Sequence, residues 1–205
     1  MNIFLVRFEL PILAQSALGA FSQISLHWPD ALPTPLPGER LQLHDGEVLY
    51  PMLNAHPGRL EVLSARAHSE SHLKLAAVTG EHIHLSPDQP VVILAAGIAL
   101  ATLIQLCATR RQATASTLAL YQMSGQMSGS MYEPAPFRPR PSRFLLDDMP
   151  AGVIAAIPLL EDWGIPSRLC THDGLAGCFE GSLDELIARL PHPPEQQLVR
   201  LVDTQ

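Results

Sequence analysis

The chain has 205 residues and a formal net charge of −7, from 20 acidic and 13 basic residues. No Lys/Arg cluster supplies the basic face that displaces counterions from nucleic acid, and 5% aromatics give no stacking platform for single strands, which excludes nucleic-acid binding. With 47% hydrophobic and 16% charged residues the composition is that of a folded globule, and 19 prolines with 13 glycines predict many turns between short elements.

In chain order, short strands are predicted at Asn2 to Leu10, Ala20 to Trp28, Arg40 to His44, Glu47 to Leu53, Arg59 to Ala65 and Glu81 to Leu85. Each ends at proline, glycine or aspartate or is bounded by them, and this spacing predicts a small antiparallel barrel. A short helix is expected over His72 to Val78. From Pro90 the pattern changes. Pro90 to Ala96 is a continuous apolar run suited to a strand covered on both faces, and Ala99 to Thr109 has helical character. A strand at Thr117 to Tyr121 precedes a low-complexity and proline-rich loop, MSGQMSGSM and EPAPFRPRP. A strand follows at Arg143 to Leu146, then a helix at Val153 to Trp163 with Gly164 as its stop, and a strand at Ile165 to Cys170. Ser182 and Glu185 form a capping box for a helix over Leu183 to Leu190, and Leu198 to Val202 is the last strand. Strand–helix alternation of this kind predicts a parallel α/β sheet. The division falls at 1–88 for the barrel and 89–205 for the α/β domain.

Val91 to Ala108, VVILAAGIALATLIQLCA, is 18 residues long, the lower limit of a membrane span. Gly97 divides it and Thr102 and Gln105 are polar, so a buried strand followed by a buried helix accounts for it and no membrane span is expected. Three cysteines, Cys107, Cys170 and Cys178, give no paired framework and no C-x-x-C, which points to a reducing, cytoplasmic setting without an iron–sulfur cluster in this chain. No basic n-region precedes the apolar N-terminus, so no secretory signal is expected. His68, Glu70 and His72, with His82 and His84, have spacings open to a shared metal or to plain exposure on a hairpin; no complete ligand set is present, and no metal is expected. Cys170 and Cys178 are open to reading as a redox pair or as inert buried thiols.

Several motifs taken together carry a resemblance. Pro37-Gly38-Glu39-Arg40-Leu41, Gly58-Arg59-Leu60-Glu61-Val62-Leu63, the Gly80-Glu81 pair, Val91 to Leu103, and Thr171-His172-Asp173-Gly174-Leu175-Ala176-Gly177 occur in the order and spacing of the ferredoxin-reductase superfamily. The chain resembles that family over nearly its whole length, and within it is most similar to the electron-transfer subunit of dihydroorotate dehydrogenase. The resemblance implies a flavin-binding barrel followed by a nicotinamide-nucleotide-binding domain, with FAD between them, NAD(P)H as electron donor and a redox protein as partner. It implies a flavin site at Tyr50, Pro51, Met52 and Leu53 with Ser69 and Ser71, and a nucleotide site at Gly97, Ile98, Ala99, Thr171, Asp173 and Gly174.

Three departures stand against the family pattern. Tyr50-Pro51-Met52-Leu53 replaces an arginine-containing flavin motif, and a phenol cannot fork onto phosphate as a guanidinium does. Arg40 and Arg66, on neighbouring strands, are the candidates to compensate. Ala95-Ala96-Gly97-Ile98-Ala99 keeps one glycine of a glycine-rich turn, so Gly97 reads either as a phosphate approach or as a simple strand-to-helix turn. The family's terminal Cys-Gly-Pro strand is absent. Two functions remain open from sequence: a flavin-dependent oxidoreductase or electron-transfer component, and a non-catalytic descendant of that module acting as an interaction or regulatory subunit.

Overall fold

The structure, a computed structural model, describes residues 8–123, 136–191 and 195–201. The first architectural unit is a closed antiparallel barrel. Its strands are β1 (Phe8–Leu18), β2 (Phe21–His27), β3 (Arg40–Leu43), β4 (Val48–His56), β5 (Arg59–Ser64) and β6 (His72–Thr79), in the order β1-β2-β5-β4-β3-β6, with β6 returning to β1. Inward positions alternate with outward ones, and Leu10, Ile24, Leu26, Leu41, Leu49, Leu60, Val62, Leu73 and Leu75 fill the interior.

The segment expected to be a helix, His72 to Val78, is strand β6. Leu73 and Leu75 are buried while His72 and Lys74 are exposed, a period of two that only a strand satisfies. The strand expected at Glu81 to Leu85 is irregular. With β6 already paired to both β1 and β3, the barrel has no free edge to receive it. β1 continues through Pro11, where a strand end was expected, because the strand changes partner there. Phe8 to Pro11 pair with β6, and from Ile12 onward the partner is β2. At such a partner switch the missing proline N–H breaks no ladder bond. The expected start of this strand at Asn2 lies outside the described residues.

The second unit is a five-stranded parallel sheet of β7 (Val91–Ala96), β8 (Thr117–Gln122), β11 (Ser167–Thr171), β12 (Phe179–Glu180) and β13 (Gln197–Leu201), ordered β12-β11-β8-β7-β13. Between β7 and β8 come a 3-10 turn at Gly97–Ala99 and helix α1 (Leu100–Thr109). A small two-stranded sheet pairs β9 (Arg140–Pro141) with β10 (Ala155–Ala156). Helix α2 (Pro158–Asp162) and helix α3 (Leu183–Ile187) complete the unit.

The helix expected over Val153 to Trp163 is divided. Ala155–Ala156 form β10, and α2 starts at Pro158, which lacks the amide a helix interior needs and so serves as its first residue. The strand expected at Arg143 to Leu146 is also irregular. Here the backbone is held by a buried carboxylate: Arg143 N–H donates to Glu161 at 3.0 Å and the Ser142 hydroxyl donates to it at 2.8 Å. The Ser182–Glu185 capping box is present as expected, although α3 ends at Ile187.

One core joins the two units. Met52 and Leu63 of the barrel pack with Leu100, Leu103, Ile104 and Cys107, so α1 lies against β4. Gln105 Nε2 adds a 2.8 Å hydrogen bond to the Pro35 carbonyl in the β2–β3 connection. Among the described residues no helix is long and apolar enough to cross a membrane, and the long apolar run is strand, turn and helix.

A buried carboxylate sits on the barrel wall. Glu61 accepts from Ser25 Oγ at 2.6 Å, Arg59 Nε at 2.8 Å and Gln23 Nε2 at 3.2 Å. Burial opposes its charge, but these donors outweigh burial and hold its pKa below the ordinary 4.5. A depressed carboxylate pKa stabilises the fold above the unfolded-state value, and that contribution disappears as pH falls through the folded value. Glu61→Gln is therefore expected to be less stable than the wild type by about 1–3 kcal/mol at pH 7. The gap should close as urea unfolding is repeated below about pH 4; a gap independent of pH would contradict this role.

Candidate functional site

Where the barrel meets the sheet, the surface opens into a cleft of about 440 Å³, within the range of about 300–1,000 Å³ usual for small-molecule sites. The barrel contributes Gly38, Arg40 of β3, Tyr50 of β4, Gly80 and Glu81. The sheet side contributes Ala99 and Thr102 near the start of α1, and Arg200 of β13. Leu201, at the carboxyl end of β13, pairs with Ala95, so the cleft borders the carboxyl edge of the sheet, where open α/β sheets bind ligands.

Two glycines shape the barrel wall. Gly38 (φ +94°) and Gly80 (φ +96°) bring their backbones together: a Cβ on Gly80 would lie 2.5 Å from the Gly38 carbonyl oxygen, and one on Gly38 would collide with the Glu81 carbonyl. Beside them the Arg40 guanidinium stands over the Tyr50 ring, 5.2 Å from its centroid, a cation–π arrangement that orients both side chains in the cleft. Arg200 also lines the cleft and is ion-paired with Asp184 of α3, and Glu81 supplies a carboxylate.

The expected flavin residues separate into two groups. Tyr50 lines the cleft; Pro51 and Met52 are buried and do not line it, and Leu53 packs against the joint core. Ser69 and Ser71 are exposed in the β5–β6 connection and do not line the cleft, and the Ser71 hydroxyl is 2.9 Å from His72 Nδ1. That connection is dominated by an ion network. Arg66 donates to Glu47 and to Asp45 at 2.5 Å each, and the buried His68 ring lies 3.2 Å from Glu47 and 3.7 Å from Glu70. His68 is thus enclosed, not exposed on a hairpin. His82 and His84 contact each other edge to face, and no group of three potential ligands is placed to hold a metal among the described residues.

The expected nucleotide residues lie along the carboxyl edge of the sheet. Register places Ala96 of β7, Gln122 of β8 and Cys170 of β11 side by side, so Gly97 and Thr171 leave the sheet at neighbouring points. Gly97 has φ +55° with open space where a side chain would stand, and α1 begins with neither a side-chain cap nor an acidic first turn. Such an uncovered helix start offers backbone N–H groups to an anion. The Tyr121 hydroxyl donates to the Gly97 carbonyl at 3.0 Å and fixes the turn from below; burial pushes its pKa up, so it stays protonated. Ala99 is buried at the cleft and Ile98 is buried in the core. Thr171 is buried, and its hydroxyl is spent on Asp173, accepting from its N–H at 3.1 Å; Gly174 is exposed.

Sequence reasoning did not single out Thr102, Arg200, Gly80 or Glu81 as site residues. Arg40 had a signal, its place on the strand beside Tyr50, and Gly38 had one in the Pro-Gly turn. The cysteines take no part in the cleft. Cys107 and Cys170 are pushed up to about 12 and Cys178 to about 11, all chiefly by burial, so none is a thiolate at neutral pH. Cys170 and Cys178 are both free thiols that pack with different core clusters, and Cys178 lies near enough to Cys170 to add to its upward shift.

No protein-family model matches the chain, and no curated protein sequence matches it. Solved structures do. The flavohem-like FAD/NAD-binding domain of nitric oxide dioxygenase from Vibrio cholerae aligns over 94% of this chain and 85% of that domain, with TM-score 0.62 and 13% identity. The ferredoxin reductase of carbazole 1,9a-dioxygenase aligns over 95% of this chain and 60% of its own length, with TM-score 0.64 and 12% identity. A flavohemoglobin from Malassezia yamatoensis, solved with bound FAD and heme, aligns over 95% of this chain and 52% of its own length, with TM-score 0.58 and 11% identity. This is the fold of the ferredoxin-reductase-type FAD/NAD-binding modules. At such identities the likeness establishes fold alone, and the chain spans less than two thirds of the latter two proteins.

Proposed function

We propose that this chain is a flavin-dependent electron-transfer module of the ferredoxin-reductase type, acting with a nicotinamide nucleotide or a redox partner protein. The observation that carries this reading is the cleft at the junction of barrel and sheet, which holds Tyr50 of the flavin-motif strand and opens beside the Gly97 turn. The division at 1–88 and 89–205 assigns the flavin to the barrel side and the nucleotide to the sheet side. The finer likeness to the dihydroorotate dehydrogenase subunit rests on sequence motifs, and the solved structures above belong to other reductases.

The residues fit the ring half of a flavin. Tyr50 gives the cleft an aromatic side chain for an isoalloxazine, and it packs against the joint core that includes Met52. The nucleotide half of the nicotinamide cofactor would meet the open Gly97 turn, with Thr171, Asp173 and Gly174 at the adjacent strand end. When bound, a flavin supplies the redox chemistry itself, passing hydride or single electrons. The chain's own residues orient the ring, exclude water beneath it and leave one edge open to a donor or acceptor.

A second reading, a non-catalytic descendant that serves as an interaction or regulatory subunit, is favoured by Tyr50 in place of the flavin arginine and by the exposed Ser69 and Ser71. Turnover separates the two. Flavin-loaded protein supplied with NADH or NADPH and ferricyanide is expected to oxidise the nucleotide and reduce ferricyanide; flavin that binds but is reduced by neither nucleotide would leave a redox partner as its donor. Failure to retain any flavin would leave the scaffold reading in place.

A further inference from the structure

Most charged side chains that line the cleft are already engaged. The Arg40 guanidinium stands over the Tyr50 ring, and both residues have further interaction partners. Arg200 is ion-paired with Asp184, and the Glu81 carboxylate offers acceptors but no donor. Thr102 is different. It is half-buried on α1 and lines the cleft, and among the described residues its hydroxyl makes no hydrogen bond. A helical threonine can turn its hydroxyl back onto a carbonyl of the preceding turn, as Thr109 does to Leu106 at 2.7 Å at the far end of the same helix. Thr102 has no such bond and keeps a donor for the cleft.

Its direction follows from the helix. Gln105, three residues on and so on the same face, reaches the Pro35 carbonyl of the barrel's β2–β3 connection. That face of α1 is turned toward the barrel, and the helix packs on β4, the strand that carries Tyr50. Thr102 and Tyr50 thus line one cleft from its two sides. We infer that Thr102 Oγ1 donates a hydrogen bond to an acceptor of the flavin ring, an inference that rests on the flavin reading above. An isoalloxazine carries carbonyl oxygens and unprotonated ring nitrogens, and a buried acceptor left without a donor weakens binding. Reduction adds electron density to the ring, so a fixed donor bonds the reduced form more strongly than the oxidised one. Thr102 therefore orients the ring and raises its reduction potential.

The test uses the full chain loaded with FMN, as wild type and as Thr102→Val, Thr102→Ser and Thr79→Val. Valine keeps the shape of threonine without the hydroxyl, serine keeps the hydroxyl, and Thr79 is the other threonine that lines the cleft, on its barrel side. Two quantities are read: the affinity for oxidised FMN, from quenching of flavin fluorescence, and the midpoint potential of the bound flavin. Thr102→Val should bind oxidised FMN several-fold more weakly and should lower the potential by about 30 mV, a tenfold loss of preference for the reduced form. Thr102→Ser should restore both, and Thr79→Val should change neither. Wild-type affinity and potential in Thr102→Val would overturn the inference and leave the flavin reading standing. So would weaker binding at an unchanged potential, which is the mark of a packing residue, or a loss that serine does not restore. If the wild type binds no FMN, the flavin reading falls, and this inference with it.

Discussion

Gly80→Ala is expected to destabilise the protein by about 3–5 kcal/mol, combining a left-handed backbone at a non-glycine residue with an atom forced into a packed wall. The added methyl would lie 2.5 Å from the Gly38 carbonyl oxygen, and backbone on both sides leaves nothing flexible to give way. Gly38→Ala meets the reverse contact, against the Glu81 carbonyl and Ile83 Cγ1 at 2.8 Å. Because both glycines line the cleft, the relaxation that accommodates either methyl should deform the ligand site as well. Gly97→Ala is the control. It has a positive φ too but open space around it, so only the backbone penalty of about 1–2 kcal/mol applies. Urea unfolding of the three variants should rank Gly80→Ala and Gly38→Ala well below Gly97→Ala; three equal losses would mean that the Gly38–Gly80 contact is not tight.

The second large effect concerns Arg110, which is 4% exposed and, among the described residues, has no carboxylate partner. Its guanidinium donates to Thr117 Oγ1 at 2.7 Å and to the carbonyls of Ser86 at 2.5 Å and Gln89 at 2.9 Å. A buried cation is tolerable there because carbonyl dipoles surround it, and it fastens the end of α1 to the segment that leads from barrel to sheet. Arg110→Met keeps much of the aliphatic stem and orphans these acceptors, and is expected to cost about 3–4 kcal/mol. The loss should appear as a lower melting temperature together with faster exchange of the Ser86, Asp88 and Gln89 amides. A drop in melting temperature without faster local exchange would show that the residue supports the core generally and does not fasten this connection.

The class of fold was legible because two periodicities change over near Pro90: short runs bounded by turn residues before it, a continuous apolar strand and a helix after it. β6 was missed because Ala76, Ala77 and Lys74 favour a helix locally, while the pairing that makes it a strand comes from β1 and β3, far away in sequence. β10 and β12 have two residues each, too few for any period to show. Arg143 to Leu146 has the apolar letters of a strand, yet Leu145 is 93% exposed and the backbone beside it is tied to Glu161, a contact no local pattern announces.

The candidate site was legible only along single motifs. Tyr50 was reachable because it stands where the flavin motif has its arginine. Gly38, Gly80, Thr102 and Arg200 come from four separate segments that meet only when the barrel closes and α1 docks on β4. Arg40, on β3, and Arg66, just beyond β5, both had a claim from sequence to replace the missing arginine, and the sequence could not show that Asp45 and Glu47 of the β3–β4 connection occupy Arg66. Ser69 and Ser71 were named from alignment to a motif whose local structure is replaced here by the Asp45–Glu47–Arg66–His68 network.

The visible absorption spectrum of the purified chain, recorded after incubation with FMN or FAD and removal of free flavin by desalting, tests the central claim most directly. Retained flavin bands near one equivalent per chain, lost when Thr102→Trp fills the cleft without lowering the melting temperature, are the expected result. A colourless protein after both incubations would contradict the account and leave this fold serving a role without a flavin.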